Sequence, residues 1–354
     1  MTNSDSYHGA PSAQVSPESR RTAALAVAVF LLLTIAGLAY VKWWPYFGKA
    51  MKAIDTHTLG SSILKDSQNA WRAAWDYSVV YFNSVWKAAV LGMLVGAMVQ
   101  VLLPANWLRR VMGRMTFAST LAGGVASLPG MMCTCCAAPV AVGMRRRQVS
   151  IGASLAFWIG NPMLNPATLV FMTAVLSWKF TVLRLAFGIL LTFGVSYAAG
   201  RFADRDKLAA VVPPPDAGER NPEVTGPLWL RWVKSVAGMA IRIVPTYVVS
   251  VFLVGLLQQL MLPSWASEGA AAIVLFAVIG TLFVIPTAAE IPIVQSFLAI
   301  DRGSAAALLV TLPAVSLPSL LLVARSFPKK ALALVALSVA ATGIVCGWIG
   351  RLWL

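Results

Sequence analysis

The 354-residue sequence predicts an all-α polytopic membrane protein with about eight to ten apolar segments. Hydrophobic residues make up 58% of the chain and charged residues only 12%, whereas soluble domains carry roughly 25% charged residues. Several stretches run for about 20 residues without a charge, which is the length a helix needs to cross the hydrocarbon core. Proline and glycine interrupt some of these stretches, so we expect broken helices.

Nine apolar segments define the organisation of the chain. They span residues 22–41, 78–103, 116–143, 149–176, 180–200, 236–260, 270–300, 303–324 and 331–350. The polar stretch 201–228 contains a proline triplet, glycine and mixed charges, which are typical of an exposed linker. The predicted units are a disordered N-terminal tail (1–21), a leading transmembrane span (22–41), a first transmembrane repeat (78–200), the polar linker (201–228) and a second transmembrane repeat (229–354).

The two halves resemble each other weakly, as the halves of internally repeated transporters do. Residues 138–171 and 291–322 share an order of features: a proline, a short apolar run, a charged turn, a glycine and two prolines. The paired features are Pro139 and Pro292, Arg145–Arg147 and Asp301-Arg302, Gly152 and Gly303, and Pro162 with Pro166 and Pro313 with Pro318. Proline and glycine are common in membrane helices in any case. The shared order nevertheless favours two structurally related repeats.

Two long segments, 116–143 and 270–300, predict broken or re-entrant helices. Pro129 with Gly130 interrupts the first and Pro286 interrupts the second, and proline removes a backbone donor and clashes with the preceding turn. Broken backbone at membrane depth is tolerated only inside protein or along a cavity, so we expect both breaks at the functional centre. The sequence leaves open whether these segments are hairpins or full crossings. The predicted helix-breaking residues are Pro129, Gly130, Pro139, Pro162, Pro166, Pro286 and Pro292.

Three cysteines stand within four positions directly after the first break, in MMCTCCAAPVAVG (131–143). Cys133 and Cys136 are three residues apart and share a helical face, while Cys135 lies roughly a quarter-turn away. Thiolates at a helix N-terminus are ligands for soft ions and thiophilic metalloids, so we predict that Cys133, Cys135 and Cys136 bind the substrate. The alternative is that small buried cysteines serve tight helix packing. No second Cys-x-x-Cys pattern occurs, and we expect no structural zinc.

Two Asn-Pro pairs, Asn161-Pro162 and Asn165-Pro166, lie four residues apart in the next segment. This spacing places both amides on one helical face and frees backbone carbonyls one turn before each proline. We predict that Asn161 and Asn165 line the path of a solute. The alternative is a kinked helix whose asparagines cap or hydrogen-bond a neighbour.

Glu290 stands in the apolar run VIPTAAEIPIVQ, between Pro286 and Pro292. An ionisable group at this depth costs roughly 3 kcal/mol or more unless it is paired or hydrated, and it is a functional candidate by default. We predict that Glu290 couples transport to protons. The alternative is a structural ion pair with Arg242 or Lys87.

Several function classes lack residues to support them. The phosphate-binding pattern GxxxxGK[ST] and the catalytic patterns HExxH and GxSxG are absent, so we expect neither an enzyme nor a cofactor. The net charge of +15 comes mostly from loops between apolar runs, which indicates membrane orientation and no nucleic-acid partner. The expected partners are membrane lipid and a small-molecule or metalloid solute, and a homo-oligomer is left open.

The stretch SLPGMMCTCCAAPVAVGMRRRQVSIGASLAFWIGNPMLNPATL resembles the YraQ-type predicted permease family, which includes ArsP, an efflux permease for trivalent organoarsenicals. The resemblance lies in the Cys-rich run before Pro139, the GMRRRxVSxGASLAFWxGNPxLNPA run and the second half around EIPI. It implies a multi-pass permease of the bacterial cytoplasmic (inner) membrane. Some relatives of the family resemble copper or zinc exporters. This chain departs from the family's CxC pattern by a third cysteine, since the motif reads Cys133-Thr134-Cys135-Cys136.

These observations lead to three functional hypotheses. The first is a secondary, proton-coupled exporter of a small thiophilic solute, with a trivalent organoarsenical as the first candidate. The second is copper(I) or zinc efflux, with Cys133 and Cys136 as metal ligands. The third is a non-transporting membrane subunit or redox-sensing partner.

Overall fold

The structure, a computed structural model, describes residues 17–58, 69–209, 227–261 and 269–354, and every regular element in these ranges is helical. The first part contains α1 (Pro17–Leu38), α2 (Trp44–Thr56), α3 (Ala70–Val101), α4 (Ala105–Met112), α5 (Phe117–Ser127), α6 (Thr134–Arg146), α7 (Ile151–Met163), α8 (Pro166–Val175), α9 (Trp178–Ile189) and α10 (Ser196–Ala209). The second part contains α11 (Leu228–Leu256), α12 (Ala270–Leu282), α13 (Glu290–Leu298), α14 (Arg302–Ala314), α15 (Leu317–Val323) and α16 (Lys329–Trp353). One π-helical turn, Ala39–Trp43, joins α1 to α2, and another, Leu190–Val195, joins α9 to α10.

Six helical stretches within the described residues are long and apolar enough to cross a membrane. They are Leu25–Thr56, Ala70–Val101, Trp178–Ala203, Leu228–Leu256, Arg302–Val323 and Lys329–Trp353. The predicted all-α polytopic class is therefore confirmed. The first stretch is longer than the predicted span 22–41, because the π-helical turn carries the helix through Lys42 and Trp43 into α2.

Both predicted helix breaks occur, and two more are present. The first segment is broken between α5 and α6, and the segment 270–300 is broken between α12 and α13. The segments 149–176 and 303–324 are also interrupted. The first interruption, at Leu164-Asn165, lies between the predicted helix breakers Pro162 and Pro166, whereas the second, at Val315-Ser316, was not predicted. Each of these interruptions precedes a helix that has proline in its first two positions, where the missing N–H costs nothing.

Two of the predicted helix breakers do not break a helix. Pro139 lies inside α6, which continues to Arg146, because one lost hydrogen bond is tolerated where neighbouring helices support the backbone. Pro292 is the third residue of α13, where its missing N–H has no helical acceptor in any case. Pro162 lies one residue before the end of α7, and Pro166 begins α8.

The predicted terminal and linker boundaries are only partly covered by the structure. Residues 1–16 of the predicted tail and residues 210–226 of the predicted linker lie outside the described residues. Helix α10 continues to Ala209 and α11 begins at Leu228, so the residues 201–209 that were expected to start the linker are helical.

Glycine allows α3 to pack directly on α6, the helix that carries the cysteines. A Cβ atom at Gly92 would lie 2.1 Å from the carbonyl oxygen of Cys136, and one at Gly96 would lie 2.6 Å from that of Pro139. On the opposite side, the Trp158 indole of α7 donates a 2.9 Å hydrogen bond to the carbonyl oxygen of Thr134. Helix α6 is therefore held between α3 and α7, with no room for side chains at the α3 contact.

Candidate functional site

The first helix break is held by contacts from two distant helices. After the short 3-10 turn Leu128–Gly130, Met131 takes the left-handed conformation, with φ of 47°. The amide of Met132 donates to Asn161 Oδ1 at 3.4 Å, and the indole of Trp43 donates to the carbonyl oxygen of Pro129 at 2.9 Å. These bonds satisfy backbone groups that the broken helix leaves without partners.

Two of the three clustered cysteines form a pair at the start of α6. Cys133 is the N-terminal capping residue of the helix, and its Sγ lies 3.0 Å from the Sγ of Cys136. Cys135 lies on another side of α6, with its Sγ 3.7 Å from Ser316 Oγ at the break between α14 and α15. All four cysteines of the chain are free and buried. The geometry thus brings together Cys133 and Cys136, and separates Cys135 from them.

The sequence analysis missed a buried lysine, Lys42, which lies within electrostatic range of the thiol pair. Lys42 is 6% exposed, its Nζ donates to Tyr46 Oη at 3.2 Å, and Nζ lies 5.1 Å from the centre of the Tyr46 ring. Cys133 and Cys136 are both within electrostatic range of this ammonium group. The sequence offered only a weak signal, because a lysine at the end of an apolar span usually reaches the membrane interface.

Glu290 is the first residue of α13 and is paired with Arg184 of α9. The Arg184 Nη2 lies 3.2 Å from Glu290 Oε1, and the two side chains are 0% and 2% exposed. Neither alternative partner considered from the sequence forms this pair: Lys87 lies over the ring of Trp86, and Arg242 is exposed. The same rule that selected Glu290, a single charge in an apolar run, would have selected Arg184 in segment 180–200.

Arg184 also donates hydrogen bonds to three backbone carbonyl groups. Its Nε donates to the oxygen of Met163 at 3.2 Å, Nη2 to that of Pro162 at 2.8 Å, and Nη1 to that of Leu309 at 2.7 Å. The first two oxygens lie at the end of α7 and the third lies in α14. One guanidinium group therefore joins two broken helices to Glu290.

A small cavity of about 10 Å³ lies between the breaks and combines a thiol, hydroxyls and a carboxylate. Its polar lining comes from Cys133, Thr134, Thr287, Glu290 and Ser316. Its apolar lining is Pro162, Ile285, Pro286, Leu312 and Pro313. Helices α6, α7, α13 and α14 contribute to it, so elements from both halves meet there. The cavity is about large enough for one water molecule, and Cys133 and the Glu290 side chain both line it.

The two predicted path asparagines have different positions. The Asn161 side chain bonds the first break through Met132 and donates from Nδ2 to the carbonyl oxygen of Phe157 at 2.9 Å. Asn165 lies beyond the end of α7, so the expected shared helical face does not exist. Its Oδ1 instead caps α8 by accepting from the amides of Ala167 and Thr168 at 3.0 and 3.3 Å.

The thiol pair is the strongest soft-ligand group in the described part of the chain. Among the residues that the structure describes, no three His, Cys, Asp or Glu side chains are arranged to hold a metal ion. Zinc–sulfur bonds of about 2.3 Å would place two tetrahedral ligand sulfurs about 3.8 Å apart. Cys133 and Cys136 would have to separate slightly to hold such an ion, and further ligands would have to come from the solvent or from oxygen atoms.

Comparisons with known proteins match the chain to a family of predicted permeases. The profile of the ArsP_1 family, described as a predicted permease, matches residues 119–351. The UPF0718 protein YraQ of Escherichia coli (strain K12) is 46% identical over 334 residues, which cover 92% of this chain and 95% of the relative. The UPF0718 protein MJ0584 of Methanocaldococcus jannaschii is 20% identical over 330 residues, covering 74% of this chain and 90% of that protein. No solved structure matches the chain at a significant level.

Proposed function

Because the chain belongs to this family of predicted permeases and is a multi-pass membrane protein, we propose that it is a secondary exporter of a small thiophilic solute. A trivalent organoarsenical is the first candidate, and the membrane is the bacterial cytoplasmic membrane. The two halves, each with two consecutive broken helices, act in this proposal as related repeats around the solute. Permease membership also favours a transporter over an enzyme.

The observation that carries the proposal is the thiol pair at the cavity. Cys133 Sγ lies 3.0 Å from Cys136 Sγ, and Cys133 lines the cavity between the breaks. A monosubstituted trivalent arsenical, R–As(OH)₂, has two exchangeable hydroxyls. Reaction with two thiols breaks two As–O bonds, forms two As–S bonds and releases two water molecules without a change of oxidation state. An arsenical held by two thiols can also be released again, whereas a third thiol ligand would hinder its release.

Proton coupling is assigned to Glu290 in the same proposal. Its carboxylate lines the cavity with Cys133, is buried, and has a single ionic partner among the described residues, Arg184. A carboxyl group that alternates between this partner and a proton can link solute movement to the proton gradient. Asn161 supports the proposal by holding the backbone at Met132, directly before the thiol pair.

The test is solute uptake into everted bacterial membrane vesicles that contain the full-length protein. Methylarsenite, arsenite, copper(I) and zinc are compared with and without a proton gradient. The variants are Glu290→Gln and the double variant Cys133→Ser/Cys136→Ser, with Cys346→Ser as the matched control because Cys346 is buried in α16, outside the cavity lining. We expect gradient-dependent accumulation of methylarsenite that both site variants abolish and the control retains.

Other outcomes separate the alternatives. Accumulation of copper(I) or zinc alone would replace the organoarsenical with a metal ion as the cargo. Accumulation that is unchanged in Glu290→Gln would contradict the assigned coupling residue. If none of the four solutes accumulates, the proposal fails for this panel and the non-transporting subunit becomes the better hypothesis.

A further inference from the structure

The hydrogen bonds of Arg184 are explained by three residues close to the breaks: Pro313 near the end of α14, and Pro166 and Ala167 at the start of α8. In a helix, each carbonyl accepts from the amide four residues later. Pro313 has no N–H, so Leu309 O has no helical donor, and Pro166 leaves Pro162 O without one in the same way. The amide of Ala167 is bonded to Asn165 Oδ1, so it is not available to Met163 O. Arg184 thus supplies donors to carbonyl groups that the interrupted helices cannot satisfy.

The four acceptors of Arg184 are not equivalent. Three are backbone oxygens of α7 and α14, whose positions are set by helix packing. The fourth is the Glu290 carboxylate, a side chain that can rotate and that lines the cavity with Cys133 and Ser316. Arg184 itself does not line the cavity. A proton or solute group that bonds the carboxylate therefore competes with Arg184 for it, whereas the three carbonyl bonds can persist.

We propose that Arg184 is a positioning residue that clamps the breaks of α7 and α14 together through their carbonyl oxygens, with Glu290 as its exchangeable partner. The clamp limits access to Cys133 while the carbonyl bonds hold. This inference rests on the proposed function only in taking the cavity as the solute site, since the clamp can be measured without any solute.

The test is the rate at which a water-soluble maleimide alkylates Cys133 in membrane vesicles containing the full-length protein. Peptide-resolved mass spectrometry measures the alkylation of Cys133 separately from that of the three other buried cysteines. For Arg184→Gln we expect a rise of about tenfold or more, because a buried hydrogen bond to a charged donor contributes at least that factor. Arg184→Lys keeps the positive charge but loses the planar guanidinium group that reaches several acceptors at once, and we expect a smaller rise in the alkylation rate. Glu290→Gln removes only the exchangeable partner, and we expect a smaller rise than in Arg184→Gln because all three carbonyl bonds remain.

Pro313→Ala tests the clamp without changing either charge. The substitution returns an amide N–H to α14, which then competes with Arg184 for Leu309 O. We expect faster Cys133 alkylation together with an equal or higher thermal midpoint, since the helix gains a hydrogen bond. Pro318→Ala is the matched control, because none of the Arg184 acceptors lies four residues before Pro318. Because Pro313 lines the cavity, faster alkylation with a lower thermal midpoint would mean that the smaller side chain only widened the cavity, and it would count against the clamp, as would no rise in alkylation.

A charge exchange separates the clamp from an ordinary ion pair. In Arg184→Glu/Glu290→Arg the opposite charges are kept, but the three carbonyl groups lose their donor, so we expect alkylation as fast as in Arg184→Gln. Recovery of the wild-type rate would overturn the proposal. Equal alkylation rates in Glu290→Gln and Arg184→Gln would also overturn it, as would no rise in Arg184→Gln.

If Arg184→Gln does not fold, the alkylation rates of Arg184→Lys and Pro313→Ala test the clamp in its place. If the wild-type protein takes up none of the solutes but the variants show the expected alkylation rates, only the proposed function is contradicted and the clamp stands.

Discussion

The Cα atom of Gly130 lies directly against the side-chain amide of Asn161. A Cβ atom at position 130 would be 2.2 Å from Asn161 Oδ1, the atom that accepts from the amide of Met132. The first helix break and α7 therefore meet at a point where no side chain fits. This contact explains why glycine stands in the break and links Asn161 to the backbone that precedes Cys133.

Gly130→Ala is expected to lower the thermal stability of the protein by about 1–3 kcal/mol, because overpacking must displace Asn161 or the break. The measurement is the thermal unfolding midpoint in detergent. The double variant Gly130→Ala/Asn161→Ala also shortens the side chain that the new Cβ would meet. Its loss of stability should be smaller than the sum of the losses in the two single variants. Gly238→Ala is the control, since a Cβ there would meet nothing within 4 Å. Additive effects would contradict a direct clash.

Gly92→Ala is expected to disrupt the contact between α3 and α6. The new Cβ would lie 2.1 Å from the backbone oxygen of Cys136, and a backbone atom cannot move without displacing the helix. We expect poor yield of folded protein and faster alkylation of Cys136. Gly37→Ala is a matched control, because its Cβ would meet only the flexible end of Leu91 at 2.6 Å. Equal behaviour of the two variants would argue against a backbone contact at Gly92.

Trp43→Phe should weaken the attachment of the first helix to the break. The substitution removes the 2.9 Å hydrogen bond to the carbonyl oxygen of Pro129, for which we expect a loss of about 0.5–1.5 kcal/mol. The neighbouring Trp44 is 80% exposed, so Trp44→Phe should leave the thermal midpoint unchanged. A larger effect of Trp44→Phe would mean that the aromatic rings act at the lipid interface and not through Pro129.

Phenylarsine oxide, which is a diol of trivalent arsenic in water, should protect Cys133 and Cys136 from alkylation. Their sulfurs are 3.0 Å apart and can take both exchangeable positions, whereas Cys135 is directed to Ser316. We expect a small dithiol in excess to reverse the protection. In Cys136→Ser the protection of Cys133 should fall sharply, because a single As–S bond replaces a chelate. Protection of Cys135 in preference to Cys136 would contradict the assigned pair.

Much of the fold could be predicted from local sequence features. The breaks at Pro129-Gly130 and Pro286 follow from proline chemistry, and the three-residue spacing of Cys133 and Cys136 anticipates a shared side of α6. The break at Leu164-Asn165 lies between the predicted helix breakers Pro162 and Pro166, whereas the break at Val315-Ser316 was missed. A proline early in a new helix and a proline kinking a continuous helix have the same local pattern, so neighbouring packing decides between them.

The sequence by itself determined that the chain is helical and lies in a membrane, that its helices are interrupted, and that thiols and one carboxyl group lie near the interruptions. Hydropathy and proline act locally, so these properties need no knowledge of neighbours. Only the tertiary structure decided that Glu290 pairs with Arg184, 106 positions away, and that Lys42 is buried within electrostatic range of the thiols. Charges buried in a low-dielectric interior take whichever partner packing brings within a few ångströms, and that packing is a property of the whole chain.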